Sequence, residues 1–179
     1  MSYKSENTVR KQQTPKAGRT ILVKVFDKSN LECVDSYLGF QSKHYVEKTN
    51  SYFFTFATTV QSNTALEQLR TQFGSSISAK FAQYRIYFTM KGLSPETEYG
   101  AVKALHCNMI NASGKCNVLY YKLYRKNDAY IGCGDITIDT KEGFDYLVET
   151  CKNYSLKNDS VDLSGVHYRY NKLPLEHPQ

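Results

Sequence analysis

Residues 51–69 read SYFFTFATTVQSNTALEQL, and this stretch decides the fold class. Its first half concentrates aromatic and β-branched residues, which favour a β-strand. Its second half places Ala65, Leu66 and Leu69 on one face of a helix. Gly74 follows as a helix-ending residue. The stretch therefore predicts a strand that leads directly into a helix.

The same order of elements occurs twice along the chain. Alternating or aromatic-rich segments predict strands, and segments with apolar residues three and four apart predict helices. The first half contains predicted strands at 20–26, 44–48 and 52–60, a helical segment from Leu31 to Leu38, the helix above, and a long strand pattern over 79–93. The second half contains a predicted helix at 98–109, strands at 117–126 and 129–138, a helix at 142–154, and a closing strand at 165–170.

Both halves therefore give strand-helix-strand-strand-helix-strand, the ferredoxin-like arrangement. The predicted fold class is α+β, with two βαββαβ units whose antiparallel sheets carry helices on one face and leave the other face open. The predicted division is a basic tail at 1–19, a first unit at 20–84, a second unit at 85–172, and a C-terminal tail at 173–179. Almost no linker separates the units, so either one long strand serves both or the units are fused side by side.

Composition narrows the class of protein. The 179 residues are 41% hydrophobic and 22% charged, which is ordinary for a globular protein. No apolar run approaches the roughly 18–20 residues that span a bilayer, and the polar N-terminus lacks a signal sequence. Five cysteines without a framework spacing then indicate reduced thiols. We expect an intracellular protein, in the cytoplasm or the nucleus, with no membrane association.

The formal charge of +6 is concentrated at the N-terminus. Residues 1–19 hold five basic residues against one acidic residue, a net charge of +4, whereas the other 160 hold 18 against 16, a net charge of +2. A basic tail attracts a polyanion such as nucleic acid through sequence-independent electrostatics. The alternative is a solvated terminus without a partner.

The order of elements and the text of three segments resemble RNA-recognition motifs (RRMs). Residues 51–69 are similar to the third strand and second helix of that family. YFTMKGLSPETEYGAVKAL, at 87–105, is similar to its first strand and first helix, and IGCGDITIDTKEGFDYL, at 131–147, to its third strand and the start of the next helix. The resemblance implies a tandem RRM-like protein that binds single-stranded RNA by stacking bases on aromatic residues of the sheet.

Transferred onto this chain, the family's stacking positions hold few aromatic residues. In the third strand of the first unit they fall on Ser51 and Phe53, and in that of the second unit on Cys133 and Asp135. Only Phe53 is aromatic, so the resemblance implies degenerate motifs.

Strand alternation in the second unit supplies other candidates. If Ile86 and Phe88 face the helices, their neighbours along the strand face outward. Aromatic residues interleaved with basic ones suit base stacking together with phosphate contact. The predicted nucleic-acid-binding residues are Lys24, Phe53, Arg85, Tyr87, Tyr120, Lys122, Tyr124 and Arg169.

The sequence lacks the motifs of common enzymes and cofactor sites. It contains no glycine-rich phosphate loop, and its histidines and cysteines match no zinc spacing. We therefore expect no enzyme, no cofactor and no metal. The leading hypothesis is a module that binds single-stranded RNA. The alternative is a protein-interaction or scaffold module built on degenerate RRM folds, since Cys133 and Asp135 fit a protein partner.

Overall fold

The computed structural model describes residues 16–94, 96–158 and 161–170, and of Tyr170 the backbone alone. The predicted C-terminal tail and residues 1–15 of the predicted N-terminal tail lie outside the described residues. The described chain forms two antiparallel sheets with three α-helices.

The first unit contains four strands in the order β2-β3-β1-β4. Its elements are β1 (Thr20–Val25), β2 (Phe40–Val46), β3 (Ser51–Phe56), α1 (Thr59–Phe73) and β4 (Ile77–Phe81), with 3-10 turns at Glu32–Ser36, Glu47–Thr49 and Gly74–Ser76. The helix α1 begins where the Thr58 side chain accepts a hydrogen bond from the Gln61 N–H. It packs its apolar face on alternate residues of β1 and β3, which form one buried cluster with it.

The first helix predicted for this unit is reduced to a single 3-10 turn at Glu32–Ser36. The spacing of apolar residues was correct in part, because Leu31 and Val34 are buried against the first sheet. The turn cannot extend because Tyr37 is already in an extended conformation and Gly39 has a positive φ of 82°. The chain then enters β2 at once.

The second unit contains five strands in the order β6-β7-β5-β9-β8. Its elements are β5 (Tyr84–Lys91), α2 (Tyr99–Ala112), β6 (Val118–Lys126), β7 (Ala129–Ile138), α3 (Lys141–Asp145) with a π-helical turn at Tyr146–Thr150, β8 (Tyr154–Lys157) and β9 (Asp162–Tyr170). Strand β8 was not predicted from the sequence. The helix predicted to run to residue 154 ends at Thr150, and Asn153 with a φ of 56° turns the chain into β8.

The two sheets share no strand, although the sequence pattern over 79–93 was continuous. Strand β4 pairs with β1, whereas β5 pairs with β7 and β9. Only Ala82 and Gln83 connect β4 to β5. Ala82 is buried, and its N–H donates to the Thr20 carbonyl at 2.9 Å. The units are therefore fused side by side.

Residues 16–19, the last four of the predicted tail, lie against both units. The Gly18 carbonyl accepts a hydrogen bond of 2.6 Å from Ser62 in the first unit. Arg19 forms an ion pair of 3.1 Å with Asp139, a fully buried carboxylate at the end of β7. This segment therefore ties the entry of β1 to the second unit.

Candidate nucleic-acid interface

The open face of the first sheet is largely covered by the second unit. Leu22 and Phe53 lie on this face, opposite α1, and are only 8% and 6% exposed. Both belong to the core cluster of the second unit, and the Phe53 ring lies 5.8 Å from that of Tyr84. Phe53 was predicted to stack on bases, but its ring is packed inside the protein and offers no free face. The sequence alone could not indicate this burial, because it depends on how the two units meet.

Lys24 is the predicted residue of the first sheet that remains exposed. Its Nζ lies 5.9 Å from the ring centroid of Phe26, an exposed residue just beyond the end of β1. Lys24 thus lies on the first sheet with Phe53, apart from the six predicted residues that lie on the second.

The open face of the second sheet follows the predicted alternation. Ile86, Phe88 and Met90 are buried against the helices. Between them, Arg85 is exposed and Tyr87 is half-buried on the opposite face. The same alternation places the remaining predicted residues of this sheet on the open face: Tyr120, Lys122, Tyr124 and Arg169.

Strand register aligns these side chains in rows across the sheet. Lys122 pairs with Asp135, Asp135 with Tyr87, and Tyr87 with Arg169. This row crosses four strands, so at about 4.8 Å per strand it is roughly 14 Å long. We name the open face around this row, with Arg85, Tyr120 and Tyr124, the second-sheet face.

Asp135 is the acidic residue in the middle of the row, and it is neutralised locally. Its Oδ2 accepts a hydrogen bond of 2.6 Å from the Tyr124 hydroxyl and forms an ion pair of 3.0 Å with Arg85. Burial and the hydrogen bond to Asp135 raise the pKa of Tyr124 to about 12, and the same carboxylate raises the pKa of Arg85. Asp135 therefore orients a tyrosine and an arginine, and its charge is balanced at the surface.

Basic groups lie over the aromatic rings of the second-sheet face. The Arg85 guanidinium is 5.0 Å from the Tyr87 centroid, and the Lys122 ammonium is 5.9 Å from that of Tyr124. A cation that lies over an aromatic ring places a positive charge next to the flat face of that ring. The face thus combines rings and cations within one row of strands.

Sequence reasoning missed one further basic residue at this face. Lys16 lies over the Tyr120 ring at 5.1 Å, and its backbone N–H donates to the Tyr120 hydroxyl at 3.3 Å. The sequence held no signal for Lys16, because its position depends on the fold of the N-terminal segment. At the β6–β7 hairpin, Arg125 lies 4.8 Å from the centroid of Tyr130, but that ring stacks on Tyr99 of α2 and so belongs to the helix side of the sheet.

In the described part of the chain, no group of three or more histidine, cysteine, aspartate or glutamate side chains is placed to hold a metal ion. No helix in the same residues is both long and apolar enough to cross a membrane.

Comparison with known proteins gives similarity to solved structures alone. No model of a protein family and no curated protein matches the sequence. RNA recognition domains 1 and 2 of Sex-lethal from Drosophila melanogaster are 10% identical, with a TM-score of 0.32, covering 86% of this chain and 99% of that chain. The first two RRM domains of the yeast poly(U)-binding protein Pub1 are 11% identical, with a TM-score of 0.34 and coverage of 86% and 99%.

The N-terminal three RNA-binding domains of the yeast splicing factor Prp24 are 16% identical, with a TM-score of 0.38, and the match covers 88% of this chain and 65% of that chain. The fold assignment rests on the strand order β2-β3-β1-β4 and on its equivalent β6-β7-β5-β9. By strand order and by the placement of helices on one face, the described chain consists of two ferredoxin-like units, the first with a 3-10 turn in place of its first helix.

Proposed function

We propose that this protein binds single-stranded RNA on the second-sheet face, as a binding module without catalysis. The observation that carries the proposal is the row Lys122–Asp135–Tyr87–Arg169, flanked by Arg85 and Tyr124. The half-buried rings of Tyr87 and Tyr124 present an open side to stacked bases, and the flanking cations contact phosphates. Arg85 balances the charge of Asp135, so the charges of Lys122 and Arg169 leave the face with a net positive charge.

The first sheet offers no stacking surface for bases, because Phe53 and Leu22 are covered by the second unit. Lys24, which remains exposed, contributes at most a phosphate contact. The basic residues of the N-terminal tail add sequence-independent attraction. Lys16, the first residue that the structure describes, lies over the Tyr120 ring on the second-sheet face.

The mutational test separates ring contacts from phosphate contacts. We expect Tyr87→Ala and Tyr124→Ala each to weaken RNA binding by about 1–3 kcal/mol, because each removes a stacking ring. Lys122→Ala and Arg169→Ala weaken binding to all sequences alike, because phosphate contacts carry no base information. Fluorescence anisotropy with short oligoribonucleotides of different sequence measures both effects.

Two control variants sharpen this test. Tyr124→Phe keeps the ring but loses the hydroxyl that donates to Asp135, so it should retain most of the stacking energy. Tyr45→Ala removes an exposed tyrosine from the first unit and should leave RNA affinity unchanged. Equal losses in Tyr45→Ala and Tyr124→Ala would contradict the assignment of the site to the second-sheet face.

A protein-interaction function is the second candidate, and one observation favours it. Leu38 and Val60 are 82% and 76% exposed beside a groove of about 340 Å³ between the 3-10 turn and α1 of the first unit. Exposed apolar side chains beside a groove are typical of contact sites for other proteins. If the partner is a protein, Leu38→Ser with Val60→Ser abolishes its capture and leaves RNA affinity unchanged.

A further inference from the structure

A second concave site lies where the two units meet, on residues that the RNA proposal does not use. The pocket has a volume of about 480 Å³, within the range of small-ligand sites. Its walls come from the first sheet, from the segment before β6, and from the start of α3. Phe53 and Tyr84 line its aromatic side.

The lining of this inter-unit pocket is rich in basic side chains. Four basic residues line it with two carboxylates: Arg19, Lys43, Lys115 and Lys141 with Glu142 and Asp145. Two of the four pair with carboxylates outside the lining, Arg19 with Asp139 and Lys43 with Asp35. A ligand that reaches the exposed lysines therefore has to be an anion that can replace their carboxylates.

The basic groups hold existing partners that a doubly charged ligand can replace. Lys141 pairs with Asp145 at 2.7 Å and Lys115 with Glu142 at 3.1 Å, and all four side chains are partly or largely exposed. Exposed pairs of this kind contribute little to stability. Arg19 differs, because its partner Asp139 is fully buried and holds the guanidinium in place.

Tyr84 provides an independent indication of a ligand. This residue lines the pocket and is only 2% exposed, and its hydroxyl makes no hydrogen bond to any of the described residues. A buried hydroxyl without a partner is costly, so a ligand that accepts its hydrogen bond would remove that cost. Burial, with Asp145 and Asp139 nearby, raises the pKa of Tyr84, so the hydroxyl keeps its proton and can donate.

We infer that the inter-unit pocket binds a phosphate monoester, with the Tyr84 hydroxyl donating to a phosphate oxygen and Lys43, Lys115 and Lys141 balancing the charge, while Arg19 stays paired with Asp139. The buried Phe53 ring offers no face for a base, so recognition rests on the phosphate. A free nucleotide and the 5′-phosphate of an RNA both carry this group. The inference uses residues other than those of the second-sheet face.

Calorimetric titration of the full chain with adenosine 5′-monophosphate, inorganic phosphate and adenosine tests the inference. We expect the two phosphates to bind and adenosine to give no heat. Lys141→Gln and Tyr84→Phe should each weaken nucleotide binding roughly tenfold, as loss of a hydrogen bond to a charged group does. Lys126→Gln, a matched change on the β6–β7 hairpin, should leave it unchanged.

Two readouts keep the result independent of folding and of the RNA proposal. Tyr84→Phe should keep or raise the thermal midpoint of the unliganded protein, because the hydroxyl that it removes has no partner. The Tyr124→Ala variant should bind the nucleotide with normal affinity even if it no longer binds RNA.

A comparison of two RNAs distinguishes the two sources of the phosphate. Tighter binding of 5′-phosphorylated than of 5′-hydroxyl RNA assigns the pocket to an RNA end, and equal affinities assign it to a free nucleotide. Binding of adenosine as tight as that of its monophosphate, or full affinity in Lys141→Gln and Tyr84→Phe, would overturn the inference.

Discussion

At the scale of single residues, His106 has the most unusual environment. It is fully buried on α2, and its ring nitrogens lie 2.8 Å from the Tyr121 hydroxyl and 2.6 Å from the Tyr168 hydroxyl. A neutral imidazole has one donor and one acceptor nitrogen, so one tyrosine donates and the other accepts. The Phe88 ring meets the imidazole edge-on at 4.9 Å. Both nitrogens are thus satisfied without a charge.

This environment predicts a pH dependence of stability. Burial lowers the pKa of His106 to about 3, whereas an unfolded histidine has a pKa of about 6.5. Between these values the unfolded chain binds a proton that the folded chain does not, so stability falls as the pH falls below about 6.5. The slope is about 1.4 kcal/mol per pH unit.

Urea unfolding at pH 7, 6 and 5 measures this effect as the difference in unfolding free energy between wild type and His106→Gln. The difference should shrink toward low pH, because the variant lacks the titrating group. The exposed His44→Gln serves as a control for the loss of a histidine. A difference that stays constant from pH 7 to pH 5 would show that His106 takes up its proton equally in both states.

At the scale of elements, the sequence predicts the features that depend on the periodicity of apolar residues. It does not predict the features that depend on how the elements pack together. The faces of β5 were predictable, because Ile86 and Phe88 alternate with Arg85 and Tyr87 and only one set can face the helices. The shortening of the first helix to Glu32–Ser36 was not predictable, because the chain turns tightly into β2 although the spacing of its apolar residues favours a longer helix. The burial of Phe53 was equally hidden, because a second unit covers it.

Neighbouring aromatic residues on β5 test the face assignment. Phe88→Ala should cost about 3–5 kcal/mol in unfolding free energy, because its ring is buried against His106 and Tyr121. Tyr87→Ala should cost less than about 1 kcal/mol, because its ring lies on the open face. Phe53→Ala should resemble Phe88→Ala if the first sheet is covered. Chemical denaturation measures all three, and a neutral Phe53→Ala would mean that the open face of the first sheet is exposed.

At the scale of the whole molecule, a few contacts hold the two units together. Asp139 accepts hydrogen bonds from Arg19 N–H and Nε at 3.2 and 3.1 Å, and from the Asn117 N–H at 2.7 Å. The Arg19 carbonyl in turn accepts from the Phe56 N–H in the first unit at 2.8 Å. Together with the contact between Phe53 and Tyr84, this linkage predicts that the two sheets unfold as one cooperative unit.

Asp139→Ala tests that linkage. Removing a buried carboxylate leaves the Arg19 guanidinium without its partner, which costs about 3–5 kcal/mol. Asp35→Ala breaks the exposed pair with Lys43 and should cost less than about 1 kcal/mol. Circular dichroism and tyrosine fluorescence should give one coincident transition for the wild type. Transitions that separate in the wild type would contradict a single folding unit.

Backbone amide NMR during titration with a short single-stranded RNA tests the central claim most directly, because it reports on every strand at once. We predict that the shifts concentrate on β5, β6, β7 and β9, around Arg85, Tyr87, Lys122, Tyr124 and Arg169. The amides of Leu22 and Phe53 on the covered face should remain unchanged. Shifts concentrated on β1 and β3 with an unaffected second sheet, or no shifts at saturating RNA, would contradict the account.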